Sequence, residues 1–143
     1  MDGAGNAYVV GYIGVNVSNN QCTLLKYSPE GELVWARYYP MYSVCYGLAL
    51  DADDNLVVVG GYARINILAA KYTADGDLVW FDHYTVSGQY TPAARDVAVD
   101  ADANAYVLAV TSQPGRLDDY TTIKYSPEGE RLWVRYYDGF GLF

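Results

Sequence analysis

The chain is poor in basic charge. Nine Lys and Arg stand against 17 Asp and Glu, a formal net charge of −8, and the nine are scattered along the sequence. A nucleic-acid backbone or an anionic bilayer needs clustered cations, so neither is expected as a partner. No apolar run approaches the roughly 20 residues of a membrane helix, and no membrane insertion is expected. The first residues, Met1 to Gly5, lack the basic and apolar regions of a signal peptide. That leaves an internal protein, a mature chain or a piece of a longer one. Cysteine is scarce too: Cys22 and Cys45 are too few for a disulfide framework. They read as two buried thiols, with one disulfide between them as the alternative. The single histidine, His83, cannot build a metal site alone and reads as a surface or packing residue. No sustained helical period, glycine-rich phosphate loop, nucleophile elbow or recognisable carboxylate pair is present. The sequence therefore predicts no catalytic residue, no cofactor and no enzymatic activity.

What the chain does have is repetition. Asp2-Gly-Ala-Gly-Asn6-Ala-Tyr-Val-Val-Gly11 recurs as Asp51-Ala-Asp-Asp-Asn55-Leu-Val-Val-Val-Gly60 and as Asp100-Ala-Asp-Ala-Asn104-Ala-Tyr-Val-Leu-Ala109. Each copy is followed by a second block: Lys26-Tyr-Ser-Pro-Glu-Gly31-Glu-Leu-Val-Trp35, Lys71-Tyr-Thr-Ala-Asp-Gly76-Asp-Leu-Val-Trp80 and Lys124-Tyr-Ser-Pro-Glu-Gly129-Glu-Arg-Leu-Trp133. The leading Asp returns every 49 residues, giving units of about 2–50, 51–99 and 100–143 within one repeat domain, 1–143. A period of that length marks a supersecondary unit that buries its apolar faces only by stacking on its neighbours.

Four strand signals fit in a unit. A short one with a small centre, Gly47–Asp51 or Asp96–Asp100, leads through an Asp/Asn turn into a nearly continuous apolar run, 7–12, 56–61 or 105–110. Such a run reads as a strand covered on both faces. A third strand (24–27, 69–72, 122–125), a Pro/Gly hairpin and a fourth, aromatic strand with charges (33–39, 78–84, 132–137) follow. Sixteen tyrosines against three phenylalanines suit half-buried strands and interfaces. Four antiparallel strands in about 49 residues predict an all-β fold of propeller type, with a β-solenoid as the competitor. The Asp turns have the one-three-five spacing that opens a calcium loop. They lack Gly at position six and Glu at position twelve, so they read as local turn chemistry without metal.

Asp-x-x-x-Asn-x-Tyr-Val-x-Gly followed by Lys-Tyr-x-x-x-Gly-x-x-x-Trp resembles the bacterial SBBP-type β-propeller repeat over essentially the whole chain. More weakly, Gly-x-x-x-Trp is similar to the tryptophan-docking repeats of quinoprotein-type propellers. The SBBP-type resemblance implies a bacterial or archaeal protein of the cell surface or extracellular space, with a binding or structural task.

The first unit begins after the place of its innermost strand, and three blades do not close a ring, since propellers use four to eight. An open arc exposes apolar faces and unpaired edges, which other copies of the chain would cover. The expected function is thus structural: head-to-tail self-assembly into a six-bladed ring from two chains, or into a filament. The candidate self-association residues are Tyr8, Val9 and Val10 of the first blade and Phe140, Leu142 and Phe143 of the tail, which would lend a strand. The alternatives are an excerpt of a longer surface propeller or a propeller binding a carbohydrate or peptide through its loops. Arg116, Asp118, Asp119 and Tyr120, a cluster without counterpart in the other units, are the candidates for that loop. Trp35, Trp80 and Trp133 share one repeat position and predict equivalent packing against a neighbouring blade.

Overall fold

A computed structural model describes residues 1–14, 19–86, 90–112 and 119–137. Eleven strands are arranged in three antiparallel sheets. The first sheet holds β1 (Ala7–Gly14), β2 (Asn20–Tyr27) and β3 (Leu33–Met41). The second holds β4 (Ser43–Leu50), β5 (Leu56–Tyr62), β6 (Asn66–Tyr72) and β7 (Leu78–Thr85). The third repeats that pattern with β8 (Tyr90–Val99), β9 (Ala105–Ser112), β10 (Asp119–Tyr125) and β11 (Arg131–Tyr137). Within each sheet the strands follow chain order, so every sheet is a meander, and each outermost strand leads to the innermost strand of the next. These are propeller-type blades in an arc that does not close, and among the described residues the first blade lacks an inner strand.

The core consists of two layers between blades. Tyr8, Cys22, Leu24 and Tyr39 of the first blade meet Leu56, Val58, Leu68, Ala70 and Tyr72 of the second. The opposite face of the second blade, with Val57, Val59, Ile67, Ala69 and Trp80, meets Ala105, Val107, Ala109, Ile123 and Tyr125 of the third. Because side chains alternate along a strand, β5 and β6 supply both layers and are buried almost end to end. The first run differs from the expectation of two covered faces. Tyr8 and Val10 point into the first layer, whereas Val9 and Ile13 are exposed, with no blade against that face among the described residues.

The inner strands are longer than their sequence signals. β4 starts at Ser43 rather than Gly47, and β8 at Tyr90 rather than Asp96. Register shifts between Cys45 and Gly47 and between Ala94 and Asp96 break the alternation that would have revealed them. The first of these shifts pushes β4 onto β5. A Cβ on Gly60 would collide with the Val44 carbonyl oxygen and lie 2.8 Å from Cys45 Cα. The two cysteines are bonded, which replaces the expectation of buried thiols. Blade stacking brings β2 and β4 together with the Cα atoms 5.2 Å apart. Unequal repeat positions prove to be what a bridge between neighbouring blades requires.

Candidate functional site

Each Asp turn is closed by its own side chain. Asp2, Asp51 and Asp100 accept the backbone N–H two and four residues on, and the Asn of the motif donates its amide to the same carboxylate. Lys71 Nζ lies 2.8 Å from Asp51 with both side chains buried, and Lys26 lies 3.6 Å from Asp2. Burial works to raise the Asp51 carboxyl, but Lys71 and Asn55 hold it below its ordinary value. Asp100 is likewise lowered, first by Asn104. These lysines share one repeat position with Lys124, which lies over the Tyr106 ring at 4.9 Å. Among the described residues, no three His, Cys, Asp or Glu side chains group as metal ligands.

The blade junctions are built from the second repeated block. Where the first blade meets the second, Trp35 Nε1 and Lys26 Nζ donate to Ala74 O at 3.2 and 3.1 Å. Arg37 donates to Gly76 O at 2.8 Å and to Asp75 O at 3.1 Å. One blade thus holds the backbone of the next blade's hairpin. The second junction repeats the grip in part: Trp80 Nε1 donates to Pro127 O at 2.9 Å, and its ring stacks on Tyr125. Asp82 stands where Arg37 stood, and it takes a bidentate contact from Arg131 and the Tyr125 hydroxyl. A tyrosine hydroxyl closes each junction further along: Tyr39 with His83 Nε2 at 2.9 Å, and Tyr84 with the Tyr136 hydroxyl.

The hairpin glycines record this grip. Gly31, Gly76 and Gly129 all have φ near +85°, the left-handed region in which only glycine is unstrained. A Cβ on Gly76 would lie 3.2 Å from Trp35 Cδ2, and one on Gly129 only 2.6 Å from Trp80 Cγ. A Cβ on Gly31 would meet nothing within 4 Å. The tryptophans are therefore not equivalent: Trp35 and Trp80 are docked, and among the described residues no carbonyl receives the Trp133 N–H.

His83 is a packing residue. It stacks on Tyr62 at 4.2 Å, and burial lowers its pKa against the opposing pull of Asp82.

At the opposite end of the blades lies a cleft of about 510 Å³ lined by Tyr42, Val44, Tyr46, Ala63, Arg64 and Arg95, among others. Tyr42, Ala63 and Arg64 have positive φ, and Ala63 N–H donates to Tyr42 O at 2.8 Å. Arg95 lies over the Tyr46 ring at 4.7 Å. The sequence reading did not find this cleft, since its residues come from β4, β8 and two connections that no repeated motif marks. Of the expected loop cluster, Arg116 and Asp118 lie outside the described residues; Asp119 and Tyr120 begin β10 and pair with Thr111 and Val110. They do not line the cleft. Of the expected self-association residues, Val9 alone faces outward from the first blade. Phe140, Leu142 and Phe143 lie outside the described residues.

Fold and junctions together define the class: an open, all-β array of propeller-type blades stacked by a repeated hairpin grip. The chain is similar to a crystal structure of a protein of unknown function from Bacteroides caccae, with a TM-score of 0.52 and 10% identity. The match covers 90% of this chain and 46% of that one, so this chain spans less than half of that structure. At that identity the likeness speaks for the fold alone. No protein-family model matches the chain, and no curated protein matches it.

Proposed function

We propose that this protein is a non-enzymatic self-assembly module whose blades join head to tail with other copies, into a six-bladed ring of two chains or a filament. One observation carries the reading: both inner junction faces are buried, whereas the two outer faces leave large apolar and aromatic side chains exposed. Val9, Ile13 and Tyr38 are exposed on one end and Tyr137 on the other. Among the described residues the inner edge of β1 has no partner at the position that β4 and β8 fill in their sheets, and in this reading a strand from a second copy takes that place. Phe140, Leu142 and Phe143 are the sequence's candidates to supply that strand. Sedimentation of the full chain tests the reading. Dimers or larger species at micromolar concentration are expected, and a stable 15.8 kDa monomer overturns it.

The repeat is further read as SBBP-type, which implies an extracellular or cell-surface setting. The Cys22–Cys45 bond supports that setting, since disulfides persist in oxidising compartments. The cleft favours a second reading, a carbohydrate or peptide ligand. Exposed Tyr42 and Tyr46 stand beside Arg64 and Arg95, and Tyr42 and Arg64 are held on strained backbone. Isothermal titration with acidic oligosaccharides and peptides, against an Arg95→Ala control, separates ligand from no ligand.

A further inference from the structure

The third blade presents the same grip as the first, and among the described residues no hairpin sits in it. Residue for residue, Tyr106, Lys124, Trp133, Arg135 and Tyr137 repeat Tyr8, Lys26, Trp35, Arg37 and Tyr39. The geometry repeats as well. Trp133 lies 6.1 Å from Tyr106, as Trp35 lies 6.0 Å from Tyr8. Arg135 lies over the Trp133 ring at 5.6 Å and donates to Val134 O at 2.9 Å; Arg37 lies over Trp35 at 5.3 Å and donates to Ala36 O at 3.0 Å. Arg135 is therefore already in the conformation in which Arg37 holds a hairpin, so little ordering cost remains on binding. On the first blade, the hairpin 28–32 has the five-residue sequence Ser-Pro-Glu-Gly-Glu of the hairpin 126–130, which accepts Trp80. Its Gly31 stands in open space, and no described side chain donates to its carbonyls.

We propose that the Trp133 face of one copy grips the hairpin 28–32 of a second copy. By analogy with the two internal junctions, Trp133 and Lys124 donate to Pro29 O, and Arg135 donates to Glu30 O and Gly31 O. Tyr137, 65% exposed, pairs with Tyr38, 57% exposed, as Tyr39 pairs with His83 and Tyr84 with Tyr136. The charges select this match. Where the gripping residue is Arg37, Leu78 lines the same junction; where it is Asp82, the hairpin brings Arg131. Arg135 meets Leu33 in the proposed pair, so no two arginines oppose each other, and Glu30 and Glu32 lie beside the guanidinium. This inference rests on the self-assembly reading and specifies its contacts.

The test uses the full chain and two variants that each disable one end. Trp133→Ala removes the grip and leaves the hairpin intact. Gly31→Asn keeps a residue tolerant of positive φ but fills the space that the tryptophan would occupy. Retention of wild-type far-ultraviolet circular dichroism and of cooperative unfolding shows that each variant folds; Tyr137→Phe serves as a third, milder probe. Self-association of each of the first two variants is expected to weaken by about thirtyfold or more, as for truncation of an interface hot spot. An equimolar mixture of the two is expected to form a one-to-one complex that does not grow, since it contains one intact junction. If folded variants assemble like wild type, or if the mixture forms no complex, the grip is wrong while self-assembly stands. If wild type itself is a monomer, both fall.

Discussion

At the scale of the residue, His83 shows how packing sets a charge state. Its imidazole is stacked on Tyr62 and hydrogen-bonded to Tyr39, and burial depresses its pKa below the ordinary 6.5 despite Asp82 beside it. The unfolded chain therefore binds a proton more readily than the folded one. Stability from this group is complete above pH 6.5 and declines as the pH falls from there toward the folded-state value. The lowered carboxyls Asp51 and Asp100 lose their contribution only at more acidic pH, below the ordinary 3.8. Urea unfolding between about pH 5 and 7 is expected to show a stability slope that His83→Gln, which keeps an acceptor for Tyr39 but does not titrate, abolishes. An unchanged slope in the variant would assign it to another group. The sequence presented His83 as a surface or packing residue, and it packs. It gave no sign of the Tyr62 stack, because that partner comes from β5, two strands away in the same sheet.

At the scale of the element, the blade junction is where most of the binding chemistry sits, and the three tryptophans grade it. Trp80 is the most buried, stacks on Tyr125 and has its N–H satisfied. Trp35 has the hydrogen bond but is half-buried, and Trp133 has no acceptor among the described residues. Trp80→Ala is expected to cost about 3–5 kcal/mol, Trp35→Ala less, and Trp133→Ala least in the unassembled chain. Equal losses at all three, by chemical denaturation at low protein concentration, would refute this ranking. The disulfide crosses the first junction, closing a loop between residues 23 positions apart. Loop entropy assigns it about 3 kcal/mol, so a double Cys→Ala variant or reduction should lower stability by that order. The repeat was legible because motif spacing, turn residues and Trp positions all carry the same period. Strand starts and the disulfide were not, since bulges interrupt alternation and covalent pairing across blades depends on how far one sheet rotates on the next.

At the scale of the whole molecule, stability in a stacked array is approximately a sum of unit terms and nearest-neighbour interfaces. The second blade has two interfaces and each end blade has one. β5 and β6 are buried nearly throughout, whereas β1 and β11 are largely exposed or half-buried. Amide hydrogen exchange in dilute protein should therefore be slowest in β5 and β6 and faster in β1 and β11, as local opening follows the density of buried contacts. The disulfide tempers the asymmetry by tying β2 to β4, so reduction should speed exchange in the first blade more than in the third. Raising the protein concentration adds the missing interface at both ends if copies join head to tail. Protection should then rise in β1 and β11 together, with β5 and β6 little changed. A ring or filament has one donor face and one acceptor face per junction, so neither end can gain protection without the other. Protection that rose at one end alone would point to a symmetric pairing of like faces and would refute head-to-tail stacking.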